Sequence, residues 1–287
     1  MLSDHGRTVR PGVVTGMAAG SVTRVEWLTS LPLGVLIGGC LVIAVLIATA
    51  SRLAVRAFLP ESQHDAAHSI AAPLMSALGA GFAILAALTL ANEASALTEA
   101  ESIVSTEAAD VSRLAWAATT PGVEAGLVHA ALLRYLEATR ANEWHGPEAA
   151  TGIDPATASA VADLERAVRV QAVRPGLGTP VSTELLSSVD AVTTDRRARL
   201  ASAAKQLPGL YVITLLISGV VLIANAGVLT VRAARRGALV ISGLTIVIGL
   251  SVALILVLEN PWEGSIVVSG YPFDSVINDL VHGYFHS

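Results

Sequence analysis

The sequence has little charge. Asp, Glu, Lys and Arg make up 14% of its 287 residues, against about 25% in an average soluble domain. That shortage excludes a disordered chain, which needs charge to stay solvated, and argues against an ordinary soluble enzyme. Lysine is nearly absent, because Lys205 is the only one among 18 basic residues. With 23 acids the formal net charge is −5. No basic surface is available for nucleic acid, and nucleic acid is not an expected partner. Cysteine is reduced to Cys40. A single thiol makes no intramolecular disulfide and no cysteine-based metal or iron–sulfur site. The chain also lacks G-x-S-x-G, H-E-x-x-H, a P-loop and a dinucleotide fingerprint. Its acids read as solvated helix faces, so neither enzymatic activity nor a cofactor is expected.

What is present is apolar and continuous. Hydrophobic residues are 53% of the chain, and the mean hydropathy is +0.63. The 49 alanines and 17 arginines are what a GC-rich bacterial genome tends to encode. A membrane helix needs roughly 20 apolar residues to cross about 30 Å of hydrocarbon. Four runs meet that length, at 31–50, 70–91, 209–231 and 238–258. None contains Asp, Glu, Lys or Arg, each of which costs about 2.5–3.5 kcal/mol at mid-membrane. None alternates as a barrel strand would. Ala48-Thr49-Ala50 mimics a signal cleavage site, but 30 residues precede the first run, and a span is the better reading. The expected fold class is all-α: an integral membrane protein with four spans in a two-plus-two layout. Tails occupy 1–30 and 259–287, and short basic connections occupy 51–69 and 232–237. Trp27 and Trp262 stand where interfacial aromatics belong.

Between spans two and three lies a polar insert, 92–208, with 15 acids and 10 bases. Leu97, Val104, Val111 and Ala118 recur every seven residues. That stripe continues from span two, so one long helix is expected to leave the membrane and end before Pro121. A second helix over 123–144 carries Val128, Leu132, Tyr135, Leu136 and Thr139 on one face. Asp154 and Pro155 read as the cap and first residue of a third. The fourth begins near Val181, capped by Ser182 or Thr183, with Leu185, Val189, Val192, Leu200 and Leu207 inward. Four linked helices make an antiparallel bundle the default.

Four spans place both termini and the insert on one side. The short connections hold Arg52, Arg56, Arg232, Arg235 and Arg236 within about 25 residues. Positive charge of that density belongs inside. The expected location is therefore a bacterial plasma membrane, with insert and termini extracytoplasmic.

Several residues stand out within and around the spans. Gly34 and Gly38 form a G-x-x-x-G pair, and Ser76, Ala80, Ala83 and Ala87 form a small-residue stripe. Both permit close helix contact or leave room for a path. Asn225 lies deep in span three, where an unpaired amide is costly. It is expected to bridge two helices or to face water in a pore. Asn92 and Glu93 close span two. His64 and His68, four apart beside Glu61 and Asp65, share a helix face as a weak metal candidate without a specified third ligand.

In order along the chain, further elements form a pattern. They are His68, then Gly79-Ala80-Gly81-Phe82-Ala83, Glu107-Ala108, Tyr135 with Glu143-Trp144, Arg196, Arg199 and Leu200 before Pro208, and Asn260-Pro261-Trp262-Glu263-Gly264 with Val268-Ser269. With that order and spacing the chain resembles the bestrophin-like family of bacterial membrane proteins. The resemblance covers most of residues 50–275 and implies the two-plus-two layout. It is remoter to true bestrophins, which are pentameric anion channels and whose arginine–aromatic signature is missing here. The matching residues outside the spans read as structural, with Arg196 and Arg199 expected to pair with Glu101 or Glu107. Two functions follow as expectations. One is an oligomeric ion channel with span two lining the path through Ser76, Gly79, Ala83, Asn92, Glu93 and Asn225. The other is a non-conducting envelope protein whose insert binds a protein partner. Membrane lipid and further copies of the chain are the expected partners in the first.

Overall fold

The computed structural model describes residues 33–58, 64–144, 152, 154–205, 209–229, 235–258, 261–262 and 267–285. Among them are eight helices and no strand. They are α1 (Leu33–Phe58), α2 (His64–Ala117), α3 (Ala125–Asn142), α4 (Pro155–Ala172), α5 (Thr179–Ala204), α6 (Gly209–Leu229), α7 (Arg235–Leu258) and α8 (Tyr271–Val281). Trp27, Leu207, Pro208, Glu263 and Gly264 lie outside the described residues.

Helices α1, α2, α6 and α7 are long and apolar enough to cross a membrane. They expose many large aliphatic side chains, such as Val42, Leu46, Ile84, Ile217 and Val247. Apolar surface on that scale needs an apolar solvent. The all-helical, four-span fold class expected from the sequence is the one observed. Helix α1 runs eight residues past its apolar run, through the suspected cleavage site, to Phe58. It packs against α6 and α7, while α2 packs against α6 and α7 from another side.

The glycines that matter for this packing are not the expected ones. A Cβ on Gly34 or Gly38 would meet nothing within 4 Å. The close approaches come instead from α6 and α7. At Gly227 a Cβ would lie 2.7 Å from the Ser51 Cβ, and at Gly249 one would lie 3.0 Å from the Leu41 Cδ2. With no side chain in the way, the α6 and α7 backbones come close to α1.

Helix α2 is 54 residues long. At about 1.5 Å per residue it measures about 80 Å, so it spans the membrane and rises far above it. No further proline follows Pro73 within it, and its buried stripe (Ala100, Val104, Val111, Leu114) lets α3, α5 and α8 pack onto its upper part. Helix α3 buries Val128, Leu132, Tyr135, Leu136 and Thr139, the face expected. Asp154 caps α4 by accepting from the Thr157 N–H at 2.6 Å, with Pro155 in the first turn. That backbone bond holds the Asp154 carboxyl below its ordinary pKa.

Helix α5 starts two residues earlier than expected. Its cap is Gly178 with no side-chain bond, and Ser182 instead donates to the Ala172 carbonyl at 2.7 Å. Leu185, Val189 and Val192 are buried as expected, but Leu200 is only half-buried. The C-terminal stretch read as a tail carries α8, which folds back onto α2 and α3. It buries Phe273, Val276 and Leu280 in the insert core.

Candidate functional site

Two arrangements carry chemistry. The first is the surface of α2. At about 100° per residue, its residues sort into three faces. Phe82, Thr89, Glu93, Ala100 and Val104 share the buried one. Ile70, Leu74, Ile84 and Leu88 share a second, where all four are exposed. Ser76, Ala80, Ala83, Ala87, Ala94 and Thr98 share a third, and all six are exposed. The large aliphatics suit lipid. The third face is different: from Ser76 to Ala87 it carries only serine and alanine, and half-buried Leu90 interrupts it before Ala94. Its hydroxyls above the membrane bond back to their own helix, Thr98 to Ala94 O at 2.9 Å and Ser95 beside it to Ala91 O at 2.8 Å. They need no other partner.

The candidate lining residues divide between these faces. Ser76, Ala83 and Asn92 are exposed, and Gly79 is half-buried with open space where a Cβ would be. Glu93, placed at a mouth by the sequence reading, is 1% exposed on the inward face. Asn225 is half-buried. Its Nδ2 donates to the Ala71 carbonyl at 3.0 Å and touches the Met75 sulfur at 3.5 Å. The amide therefore ties α6 to α2. His64 and His68 open α2, but their side chains lie outside the described residues. No group of metal-ligating side chains occurs among the described residues.

The second arrangement is a buried ionic cluster in the insert. Residues scattered over 92 positions of sequence meet here. Arg199 of α5, fully buried, donates from Nε to Glu107 Oε2 at 2.8 Å and from Nη2 to Glu143 Oε2 at 3.2 Å. Its Nη1 reaches the Glu143 carbonyl at 3.2 Å. Arg196, one turn earlier, donates from Nε to Glu143 Oε2 at 3.1 Å and also pairs with Oε1. Tyr135 of α3 donates its hydroxyl to Glu107 Oε1. Two carboxylates face two guanidiniums, so the cluster is neutral and each buried charge has partners. Burial works against the Arg199 charge, but Glu107, Tyr135 and Glu143 outweigh it and raise its pKa above the ordinary guanidinium value. Burial, then the Glu107 charge, pushes the Tyr135 hydroxyl well above its ordinary pKa.

Aromatic packing seals the cluster. Trp144 is buried, with the Arg140 guanidinium 4.9 Å from its ring centroid and that of Arg199 5.8 Å away. Trp262 meets it edge-on at 5.8 Å and Phe273 at 5.0 Å. Trp262 is 2% exposed; it is a core residue rather than the interfacial anchor expected from its place after span four. The Pro261 carbonyl accepts from Val268 N at 2.8 Å, which turns the chain back toward the insert. Arg140 then holds α8 through Asp274, at 2.9 and 3.1 Å. A Cβ on Gly270 would collide with that guanidinium.

Glu107, Tyr135, Glu143, Trp144, Arg196, Arg199, Pro261 and Trp262 are thus one constellation. A model of the Bestrophin-like domain matches residues 42–273. The chain belongs to the Bestrophin-like family. Its fold is similar to that of a solved structure, a point mutant of a bacterial bestrophin homolog from Klebsiella pneumoniae. The two are 13% identical, with a TM-score of 0.66 over 85% of this chain and 99% of that one. No curated protein matches. In this Bestrophin-like chain, the resemblance elements of the insert converge on Arg199. The sequence reading paired Arg196 and Arg199 with Glu101 or Glu107. Arg199 does meet Glu107, but Glu101 is exposed and Arg196 turns to Glu143. The Arg140–Asp274 pair was not foreseen, because Asp274 was read as part of a tail and nothing local marks its partner.

Proposed function

We propose that the protein is an oligomeric, channel-like membrane protein of the bacterial plasma membrane, with copies of α2 around a central path. The observation that carries the reading is the small-residue face of α2, separate from the aliphatic face and left largely uncovered by the rest of the chain. Ser76, Gly79 and Ala83 are its lining residues, while Asn92, four residues after Leu88, falls on the aliphatic side of the helix. Small side chains let neighbouring helices approach closely and leave space between them. Glu93 and Asn225 hold the lining helix to the subunit from behind rather than line the path. Four spans leave little room for a water-filled pore within one subunit, so the path requires further copies. A closed ring is the usual form of such an assembly. The channel expectation attached to the resemblance supports the same reading. The Arg-rich connections lie inside and the insert outside, by charge density. The Arg199 cluster serves as the joint that fixes the insert on α2, a structural role.

The test is the native mass of the protein in lipid nanodiscs, followed by ion flux from vesicles reconstituted with it. A ring of about four or more copies with flux supports the proposal. A monomer or simple dimer overturns it and directs attention to protein partners of the insert.

A further inference from the structure

The Arg199–Glu107 pair sets the register between α2 and α5, and that register has a consequence one turn further from the membrane. Asp110 follows Glu107 by three residues on α2. Asp195 precedes Arg199 by four on the antiparallel α5. Residues three or four apart share a helix face, so the same register that joins Glu107 to Arg199 brings the two aspartates together. Asp195 Oδ2 is buried and meets no donor among the described residues. Across the seam stands the Asp110 carboxyl, which acts on Asp195 by side-chain hydrogen bonding and by its charge, both of which raise its pKa. Two carboxylates can share a hydrogen bond only if one carries a proton.

Among the described residues the nearby cations are engaged with other acids, although Arg113 also feels the Asp110 charge. From α2 the facing groups are Asp110 and Glu107. Arg113, one turn beyond Asp110, is committed to Glu184 at 2.8 Å. On α5, Arg196 is committed to Glu143, and Arg199 to Glu107 and Glu143. The buried side chains of α4, which also packs on α5, are Thr157, Leu164, Val168, Gln171 and Ala172, all uncharged.

We propose that Asp110 and Asp195 share one proton across the α2–α5 seam and form a pH-sensitive latch between the helix that continues the second span and the helix that leads to the third. Burial, the hydrogen bond to Asp110 and the charges of Asp110 and Glu107 push Asp195 up to about 6, which places the switch near neutral pH. Below that value the acid O–H of one carboxyl donates to the other. Above it the proton passes to water, and two carboxylates face each other beside Glu107. Because the folded pKa is raised, the stabilisation is full below the ordinary carboxylate range and is lost as pH rises through about 6. The pair lies roughly 28 Å along α2 beyond Ala91, at about 1.5 Å per residue, so bulk solvent sets its protonation.

The experiment is hydrogen exchange of the full-length protein in nanodiscs between about pH 5 and 8, corrected for the intrinsic exchange rate. The readout is protection of α2 and α5 around the pair, in wild type, Asp195→Asn, Asp110→Asn and the double variant. Wild-type protection should fall over this range by at most about tenfold, and by several-fold after partial solvent screening. Each Asn variant should match wild type at the acid end and exceed it at the alkaline end. The double variant should add nothing to either single one. Parallel wild-type and variant profiles overturn the proposal. So do variants less protected at every pH, which would mark an ordinary structural hydrogen bond, or a variant that fails to fold at the alkaline end.

Discussion

Arg199 and Glu107 are 92 residues apart in sequence and 2.8 Å apart in the fold, both with no exposed surface. They join the helix that rises from the second span to the helix that descends toward the third. Removing one member of a buried pair strands the other charge, which costs about 3–5 kcal/mol. Arg199→Met strands Glu107, while Glu143 keeps Arg196, and should severely lower the thermal midpoint of the insert. Glu143→Gln, which keeps the shape and removes one charge, should cost less. Circular dichroism melts in one mild detergent compare the two.

Tyr135 should not ionise while the insert is folded. Its hydroxyl is buried, donates to Glu107 and has a pKa raised well above the ordinary phenol value. The raised value means that stability is retained below the unfolded tyrosine pKa and lost as pH climbs past it. Ultraviolet titration at alkaline pH should show one of the four tyrosines ionising only as helical signal is lost. Tyr135→Phe should remove that late step and cost about 1–3 kcal/mol, because a buried carboxylate oxygen loses its donor.

The three faces of α2 make different predictions for one bulky substitution. Ala83→Trp, on the small face, should narrow or block the proposed path and shift the native mass. Ile84→Trp, on the adjacent exposed aliphatic face, should leave both unchanged. Equal effects on flux and mass at the two positions would refute the assignment of the faces.

Glycines in the spans should separate cleanly. Gly227→Val places new atoms against Ser51 and should destabilise by about 1–3 kcal/mol through overpacking. Gly38→Ala meets open space and should be neutral or slightly stabilising in a helix. Urea or detergent-denaturation midpoints give the comparison. A neutral Gly227→Val would remove the close α1–α6 approach from the account of the fold.

Local features of the chain were legible without a structure. Apolar runs free of charge marked the four helices of the membrane part, because the cost of charge in hydrocarbon leaves few alternatives. The stripe from Leu97 to Ala118 marked the long α2, since helix period and the absence of a breaker are properties of neighbouring residues. Asp154-Pro155 marked the start of α4 for the same reason. The buried face of α3 followed from its periodicity alone.

Only the tertiary structure decided which residues meet. Trp262 has the local setting of an interfacial aromatic, and its burial on Trp144 depends on α8 folding back. Gly34 and Gly38 have the spacing of a packing motif, yet Gly227 and Gly249 make the contacts, because α1 turns other sides to α6 and α7. Arg196 could reach any of several acids, and the register of α2 against α5 selects Glu143 for it and Glu107 for Arg199. Helix periods say which side of a helix is buried. The partner on that side is chosen by long-range packing and by the demand that every buried charge find its counter-ion.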